Sequence, residues 1–214
     1  CETNFDNNSV MESFDVTALH TNVSNASAMQ AVSELLAEHF NDLNMYGLSI
    51  QQTMTLLDLC LSCTVFRWSG KYFAQIRGLA MGQRLAPVLA IAFMAKIENP
   101  VLQRRPVMYC RYIDDCFIVC STQDEIDTCF DLMKHQSEHI KLTHEKPKDH
   151  WLPFLNVLVH LHQGEYKTKW YRKPSSKNII VHYLSAHPHH VKRAVVRNMF
   201  RRASHVCTNP EERV

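Results

Sequence analysis

Residues 109–120 read YCRYIDDCFIVC, and no other stretch restricts what the chain can fold into so tightly. Asp114 and Asp115 stand side by side inside a β-branched, aromatic run that by pattern is a buried strand. Two adjacent ionised carboxylates repel each other and each is costly to take out of water, so packing alone gives no reason for the pair. A sheet can carry it at a rim, where a tight turn lifts both side chains half out of the core and a positive partner neutralises them. The pattern therefore predicts a hairpin with one strand over 107–113, a turn at the two aspartates and a second strand over 116–120.

The rest of the chain supplies a scaffold for such a hairpin. SFDVTALHTNV (13–23) reads as a short strand ending at Asp15 and followed by a turn. Residues 26–40 and 49–63 have helical spacing of apolar side chains. VFRWSGKYFAQ (65–75) has β-rich arms joined at Ser69-Gly70, a hairpin signature. A glycine-punctuated loop over 78–87 leads into a helix over 88–98, with Pro87 suited to its first turn. A helix over 123–139 begins at acidic residues, strands follow over 140–145, 154–161 and 165–171, and 189–205 reads as a final helix. The order predicts an α+β fold with an antiparallel sheet backed by helices.

Charge divides the chain. Residues 1–145 hold 10 Lys/Arg against 17 Asp/Glu, whereas 146–214 hold 13 against 4, so a net charge of +2 conceals an acidic part and a basic part. One is suited to cations and the other to a polyanion such as a nucleic-acid backbone. With 46% hydrophobic and 21% charged residues the chain is not of a disordered or collagen-like class. LAPVLAIAFMA (85–95), the longest apolar run, is too short for a spanning helix, which needs about 18 residues. Without a basic-then-apolar leader the chain is expected to be intracellular, and because it opens on Cys1 it is expected to be part of a longer one. Its eight cysteines lie largely in apolar stretches and read as reduced core thiols; CLSC (60–63) has metal-ligand spacing but lacks a second close Cys/His pair.

A third acid lies in the first predicted strand, Asp15 between Phe14 and Val16. Should that strand neighbour the hairpin, three carboxylates converge at one sheet edge. Carboxylates with a backbone carbonyl make a hard-oxygen site for Mg²⁺, which keeps several waters and takes further ligands from substrate phosphates. Two such ions about 3.5–4 Å apart clamp the attacking and leaving oxygens of a phosphoryl displacement. Read singly, Asp15 is equally a strand-end cap and Asp114-Asp115 equally turn residues.

The motifs then become specific as a set. RYIDD between two apolar strands resembles the YxDD signature of reverse transcriptases, FDVTALHTNV their first aspartate motif, and GLAMGQRLAPVLA the glycine loop and helix between them. PFLNVLVHL, followed by TKWYRKPSSKNIIVHYLSAHPHHVKRAVVRNMFRRA, is similar to Penelope-like retroelements, whose polymerases run from a PFLD-type strand through YRKP to a basic helix. The resemblance covers roughly residues 13–205. It implies a polymerase palm over 1–172, including fingers-proximal helices over 26–63, and the start of a basic thumb over 173–214. The implied activity is RNA-directed DNA polymerisation with two Mg²⁺ ions, for which Mn²⁺ substitutes, acting in the nucleus on an RNA template, a DNA primer and dNTPs, with no membrane.

Residue by residue, the resemblance implies metal binding by Asp15, Asp114 and Asp115 with the Val16 carbonyl, and nucleotide binding by His20, Met81 and Gly82, where a glycine lets backbone approach the incoming nucleotide. It places Tyr112 beneath the primer end. Arg172 and Lys173 grip the primer strand, and Arg193, Arg197 and Arg201, one helical face, follow a nucleic-acid backbone. Lys141 and Lys146 are the candidates for the acid that protonates pyrophosphate. Departures from the family pattern are His20 where Phe or Tyr usually blocks a 2′-hydroxyl, Arg84 and Ala86 after the glycine loop, and Asn156 where an aspartate is common. By this resemblance the stretch is expected to hold neither the fingers strands, which would precede Asp15, nor an endonuclease domain after the thumb. A polymerase domain that only binds nucleic acid, a metal-dependent nuclease and a templated RNA polymerase stay open as alternatives.

Overall fold

A computed structural model describes residues 5–138, 140–173 and 181–212. The first strand, β1 (Val10–Thr17), is followed by a short turn of helix α1 (Leu19–Asn22) and two longer helices, α2 (Asn25–Glu38) and α3 (Ile50–Ser62). Both long helices start where side chains can replace missing backbone partners: Ser24 accepts from Ser27 N, and Ser49 with Gln52 forms a reciprocal capping box. A hairpin of β2 (Val65–Trp68) and β3 (Lys71–Ala74) leads to the long helix α4 (Ala86–Gln103). Then come β4 (Met108–Tyr112), β5 (Asp115–Cys120), helix α5 (Gln123–Lys134) capped by Thr122, and β6 (Lys141–Glu145). The chain continues through β7 (Trp151–Phe154), β8 (Val157–His162) and β9 (Glu165–Trp170) to helix α6 (His189–Val206).

These elements form the expected α+β fold with antiparallel pairing throughout, but in two main sheets rather than one. β4, β5, β1 and β6 make the first sheet in that order, and β7, β8 and β9 the second. One face of the first sheet is covered by helices: Phe14 and Val16 of β1 and Cys116, Ile118 and Cys120 of β5 pack with Leu89, Phe93, Met94 and Ile97 of α4 and Ile126 and Met133 of α5. Burying each of the larger side chains contributes about 1.5–3 kcal/mol. The other face meets the second sheet only toward one end, through Met11, Phe117, Val119, Leu152 and Leu161. Alternation along β1 separates the two faces, so Asp15 points away from the helices while Phe14 and Val16 point into them. No helix among the described residues is long and apolar enough to cross a membrane.

Several boundaries differ from expectation, among them the helix expected over 123–139, which ends at Lys134, and four that shape the site and its surroundings. β1 does not end at Asp15 but continues to Thr17, because β6 pairs with it as far as Thr17 opposite Lys141. Asp115 is not in the turn; it is the first residue of β5 and pairs with Tyr112, so the loop is Ile113-Asp114. The single strand expected over 154–161 is two, β7 and β8, joined at Leu155-Asn156 with Leu155 at φ +55. The helix expected over 88–98 runs from Ala86 to Gln103, through Pro100.

The glycine loop is anchored at Gly78. A Cβ there would lie 2.8 Å from the carbonyl oxygen of His20, and its φ is +82; the adjacent Leu79 amide donates to that same carbonyl at 2.6 Å. Gly82, at φ +100, has nothing within 4 Å of such a Cβ. Gly78→Ala is accordingly expected to cost about 2–4 kcal/mol, from left-handed strain and overpacking together, and Gly82→Ala about 1–2 kcal/mol from strain alone. Urea denaturation of both variants, compared at constant m-value, checks the ranking.

Candidate active site

The register of the first sheet assembles the acids. Asp15 lies opposite Asp115 across β1 and β5, Asp115 lies opposite Tyr112 across β5 and β4, and Asp15 lies opposite Thr143 of β6. Directly paired residues share a face, so Tyr112, Asp115, Asp15 and Thr143 form one row across four strands on the face free of helices. Asp114 sits in the adjoining turn, and its carbonyl accepts from Val16 N at 3.3 Å, which stitches the turn to β1. A cleft of about 800 Å³ opens over this row; Asp15, Asp115, Thr143, Asn156, Tyr171 and Lys173 line it.

Like charges directly opposite one another destabilise a sheet, and the electrostatics of the row show it. Burial, then the charge of Asp114, holds the Asp15 carboxyl above its ordinary range; burial, then Asp114 and Asp15, does the same to Asp115. Lys173 opposes both shifts from across the cleft without cancelling either. Its expected place was on the primer strand beside Arg172; in the structure the two diverge. Arg172 stacks over Trp170 at 4.7 Å and reaches the sulfur of Met199 on α6 at 3.9 Å. The remainder of the YRKPSSK motif, 174–177, lies outside the described residues.

The turn that carries Asp114 is held in an unfavourable shape. Ile113 has φ +57, which for a β-branched residue is rare and costs about 1–3 kcal/mol. Arg111 supports it: its Nη1 donates to the Ile113 carbonyl at 3.2 Å, while Nε and Nη2 grip both oxygens of Glu98 on α4 at 2.6 and 2.9 Å. The Tyr109 hydroxyl donates to the same carboxylate at 3.0 Å. Ile113 also packs against the helix-side core. Neither Glu98 nor Arg111 was among the residues expected from the sequence. The available signal was a lone acid in the apolar stretch APVLAIAFMAKIENPVLQ (86–103) and a lone base in the following strand, which between two buried elements predict a pair.

The two lysines proposed as acids part company. Lys141 pairs with Thr17 and lies on the same face as Asp15. Lys146 does not serve the cleft: its ammonium lies 3.4 Å from Glu12, whose buried carboxylate is also bonded by Gln123 at 2.7 Å and by His144 at 3.1 Å. Glu12 alternates with Phe14 on the helix-side face, so Lys146 is drawn to the opposite side of the sheet from the aspartates. His20 sits on α1 with a buried, unpartnered Nδ1, and Met81 is 80% exposed. Tyr112 is 60% exposed beside Asp115. Arg193, Arg197 and Arg201 are exposed along one side of α6, while Thr168 of β9 binds the helix's C-terminal end through Val206 and Thr208.

Among the described residues, no group of three or more His, Cys, Asp or Glu is gathered closely enough to hold a metal ion. The donor chemistry of the row nevertheless suits a hard divalent cation: carboxylates whose charge is under-compensated, on an open cleft, with room for waters and phosphate oxygens.

Comparison with known proteins gives the family and the fold. The sequence profile described as reverse transcriptase (RNA-dependent DNA polymerase) matches residues 24–184, and that of an animal helix-turn-helix domain matches 179–214. No curated protein matches the sequence. Among solved structures, apo telomerase from Candida tropicalis truncated from its C-terminal domain is similar with TM-score 0.56 and 12% identity over 75% of this chain. Telomerase from Candida albicans, solved in complex with a fragment of telomeric RNA, is similar with TM-score 0.53 and 12% identity over 90%. The chain spans about a third of those structures, 35% and 34% of their lengths. At such identity the likeness is one of fold.

Two outcomes follow from the site's energetics. Because both carboxyls are raised in the folded state, their ionisation opposes folding, and Asp115→Asn should raise the metal-free unfolding free energy at pH 7 by about a few tenths of a kcal/mol, given the solvent exposure, and the melting temperature with it. That advantage shrinks as the pH falls and the native carboxyl takes up its proton, which melts recorded across a pH series will show. Arg111→Met leaves the buried Glu98 carboxylate with the Tyr109 hydroxyl but without its cation and should cost about 3–5 kcal/mol, whereas the Arg111→Met/Glu98→Leu double variant should recover most of it in urea titrations.

Proposed function

The chain belongs to the reverse transcriptase (RNA-dependent DNA polymerase) family, and from that premise we propose that it carries the palm, 1–172, and the beginning of the thumb, 173–214, of an RNA-directed DNA polymerase. The observation that carries this reading is the register that sets Asp115 opposite Asp15 beneath an open cleft, with Asp114 in the adjoining turn. Distant acids brought to one spot at an energetic cost are the mark of a site kept for chemistry rather than for folding.

Asp15, Asp114 and Asp115, with the Val16 carbonyl, would hold Mg²⁺, two ions in the complete reaction and replaceable by Mn²⁺; when bound, the metal activates the primer 3′-hydroxyl and neutralises charge on the phosphates. The chain's own residues supply position. Tyr112, exposed beside Asp115, supports the primer end. His20, Met81 and Gly82 receive the nucleotide, and the narrow imidazole at position 20 bears on the choice between dNTP and NTP. Lys173, facing the acids, meets a phosphate that spans the cleft, and Lys141 is the proton donor for the leaving pyrophosphate. Arg172 and the Arg193, Arg197, Arg201 face of α6 follow the primer–template backbone through phosphate contacts, which fix register without reading sequence. The motif order through YRKP and the basic helix supports assignment to a Penelope-like retroelement, acting in the nucleus.

Primer extension on an RNA template tests this. Mg²⁺-dependent dNTP incorporation is expected, abolished by EDTA. Losing several kcal/mol of metal-dependent stabilisation, Asp114→Asn and Asp115→Asn should each slow it by about 10²–10⁴-fold. Affinity for the primer–template should stay within about twofold. Extension that survives both substitutions would overturn the site assignment. Competition between dATP and ATP on one template reads the contribution of His20.

A further inference from the structure

From residue 59 to residue 97 the chain has no acidic side chain and five basic ones, although the part that contains this stretch, 1–145, is acidic overall. The β2–β3 hairpin stands in the middle of it, and all eight of its strand residues are exposed. Four of the eight are aromatic: Phe66, Trp68, Tyr72 and Phe73 are 48%, 69%, 73% and 43% exposed. So much aromatic surface in water is unfavourable unless something covers it.

Register and charge say what kind of surface covers it. Phe66 faces Phe73, their rings stacked with centroids 5.8 Å apart, and Trp68 faces Lys71 on that same side. On the other side Arg67 faces Tyr72, its guanidinium 5.9 Å from the ring centroid. Each side thus presents aromatic rings next to a cation, and among the described residues no carboxylate lies within ion-pair distance of Arg67 or Lys71. A hairpin built to be covered by protein core would instead separate an apolar side from a polar one. Rings interleaved with uncompensated cations are what a single-stranded nucleic acid requires, bases stacking on the rings and phosphates meeting the charges.

The hairpin's foot ties it to the catalytic cleft. Gln75 N donates to Thr64 O at 2.9 Å, and its side chain donates to the carbonyls of Arg77 and Gly78. Gly78 in turn sits against the backbone of His20 and Thr21, in the segment that directly follows the Asp15 strand. We propose that the β2–β3 hairpin is a stacking platform for the uncopied, single-stranded part of the template. The proposal rests on the polymerase reading for the word template, and on the hairpin alone for single-strand binding.

The test measures anisotropy of a labelled uridine 12-mer RNA and of a blunt duplex of equal length. Trp68→Ala/Tyr72→Ala should weaken the single strand by about 5–150-fold for each of the two base stacks it removes, and the duplex far less. Arg67→Gln/Lys71→Gln should lower the salt slope for the single strand by about 1.4, two phosphate contacts. Photocrosslinking of a 4-thiouridine oligonucleotide to the unsubstituted protein should label the Val65–Ala74 peptide, a readout that survives even if a variant folds poorly. Unchanged affinity and slope with no label on that peptide would overturn the platform, as would a change of oligomeric state in the aromatic variant with oligonucleotide binding intact, which would mark a protein-docking surface. Should the polymerase reading fail, extension is absent while hairpin-dependent single-strand binding persists, and the platform stands.

Discussion

Asp15 and Asp115 face each other across two hydrogen-bonded strands with Asp114 alongside, and much of the surrounding structure serves to keep three repelling anions in place. The strands that carry them are fixed from behind by a core of aliphatic and aromatic side chains contributed by α4 and α5. The turn between β4 and β5 is fixed from the side, by an arginine whose other end is bound to a buried glutamate. Buried ion pairs of this kind are weak contributors to net stability, yet breaking one is severe. Here the pair does something an apolar replacement could not: it presents a directed donor to the backbone of a strained turn.

The same sheet separates two kinds of acid. Glu12 and Asp15 lie only three residues apart on β1, and alternation sends one to the helices and the other to the cleft. Glu12 is saturated by Gln123, His144 and Lys146. Asp15 is left under-compensated. A buried carboxylate with a full set of partners is architecture, whereas one held above its ordinary range on an open surface has capacity left for a ligand.

Periodic features are legible in the sequence: the helical spacing of apolar residues over 26–40 and 49–63, and the Ser69-Gly70 hairpin, whose two turn residues have φ +47 and +80 as a two-residue loop requires. The convergence of the acids was legible only as a condition, because it depends on which strands pair, and pairing is set by long-range packing. What misled was local chemistry applied where tertiary forces prevail. Asp-Asp suggested its own turn, yet the left-handed position went to Ile113, pinned by Arg111 and the core. Leu155 likewise turns a chain that read as one strand. Lys146 looked as available as Lys141 because nothing in a linear pattern tells which side of a strand faces a cleft once the register is unknown. Gly78 and Gly82 are indistinguishable by composition, and only the approach of the His20 carbonyl separates them.

The attachment of α6 to β9 has a mechanical meaning. Thr168 binds Val206 and Thr208, which ties the arginine-bearing helix to the second sheet, and that sheet packs on the first through Met11, Phe117, Val119, Leu152 and Leu161. Helix and second sheet are thus joined, and the apolar packing between the two sheets sets where the arginines of α6 stand relative to the acids.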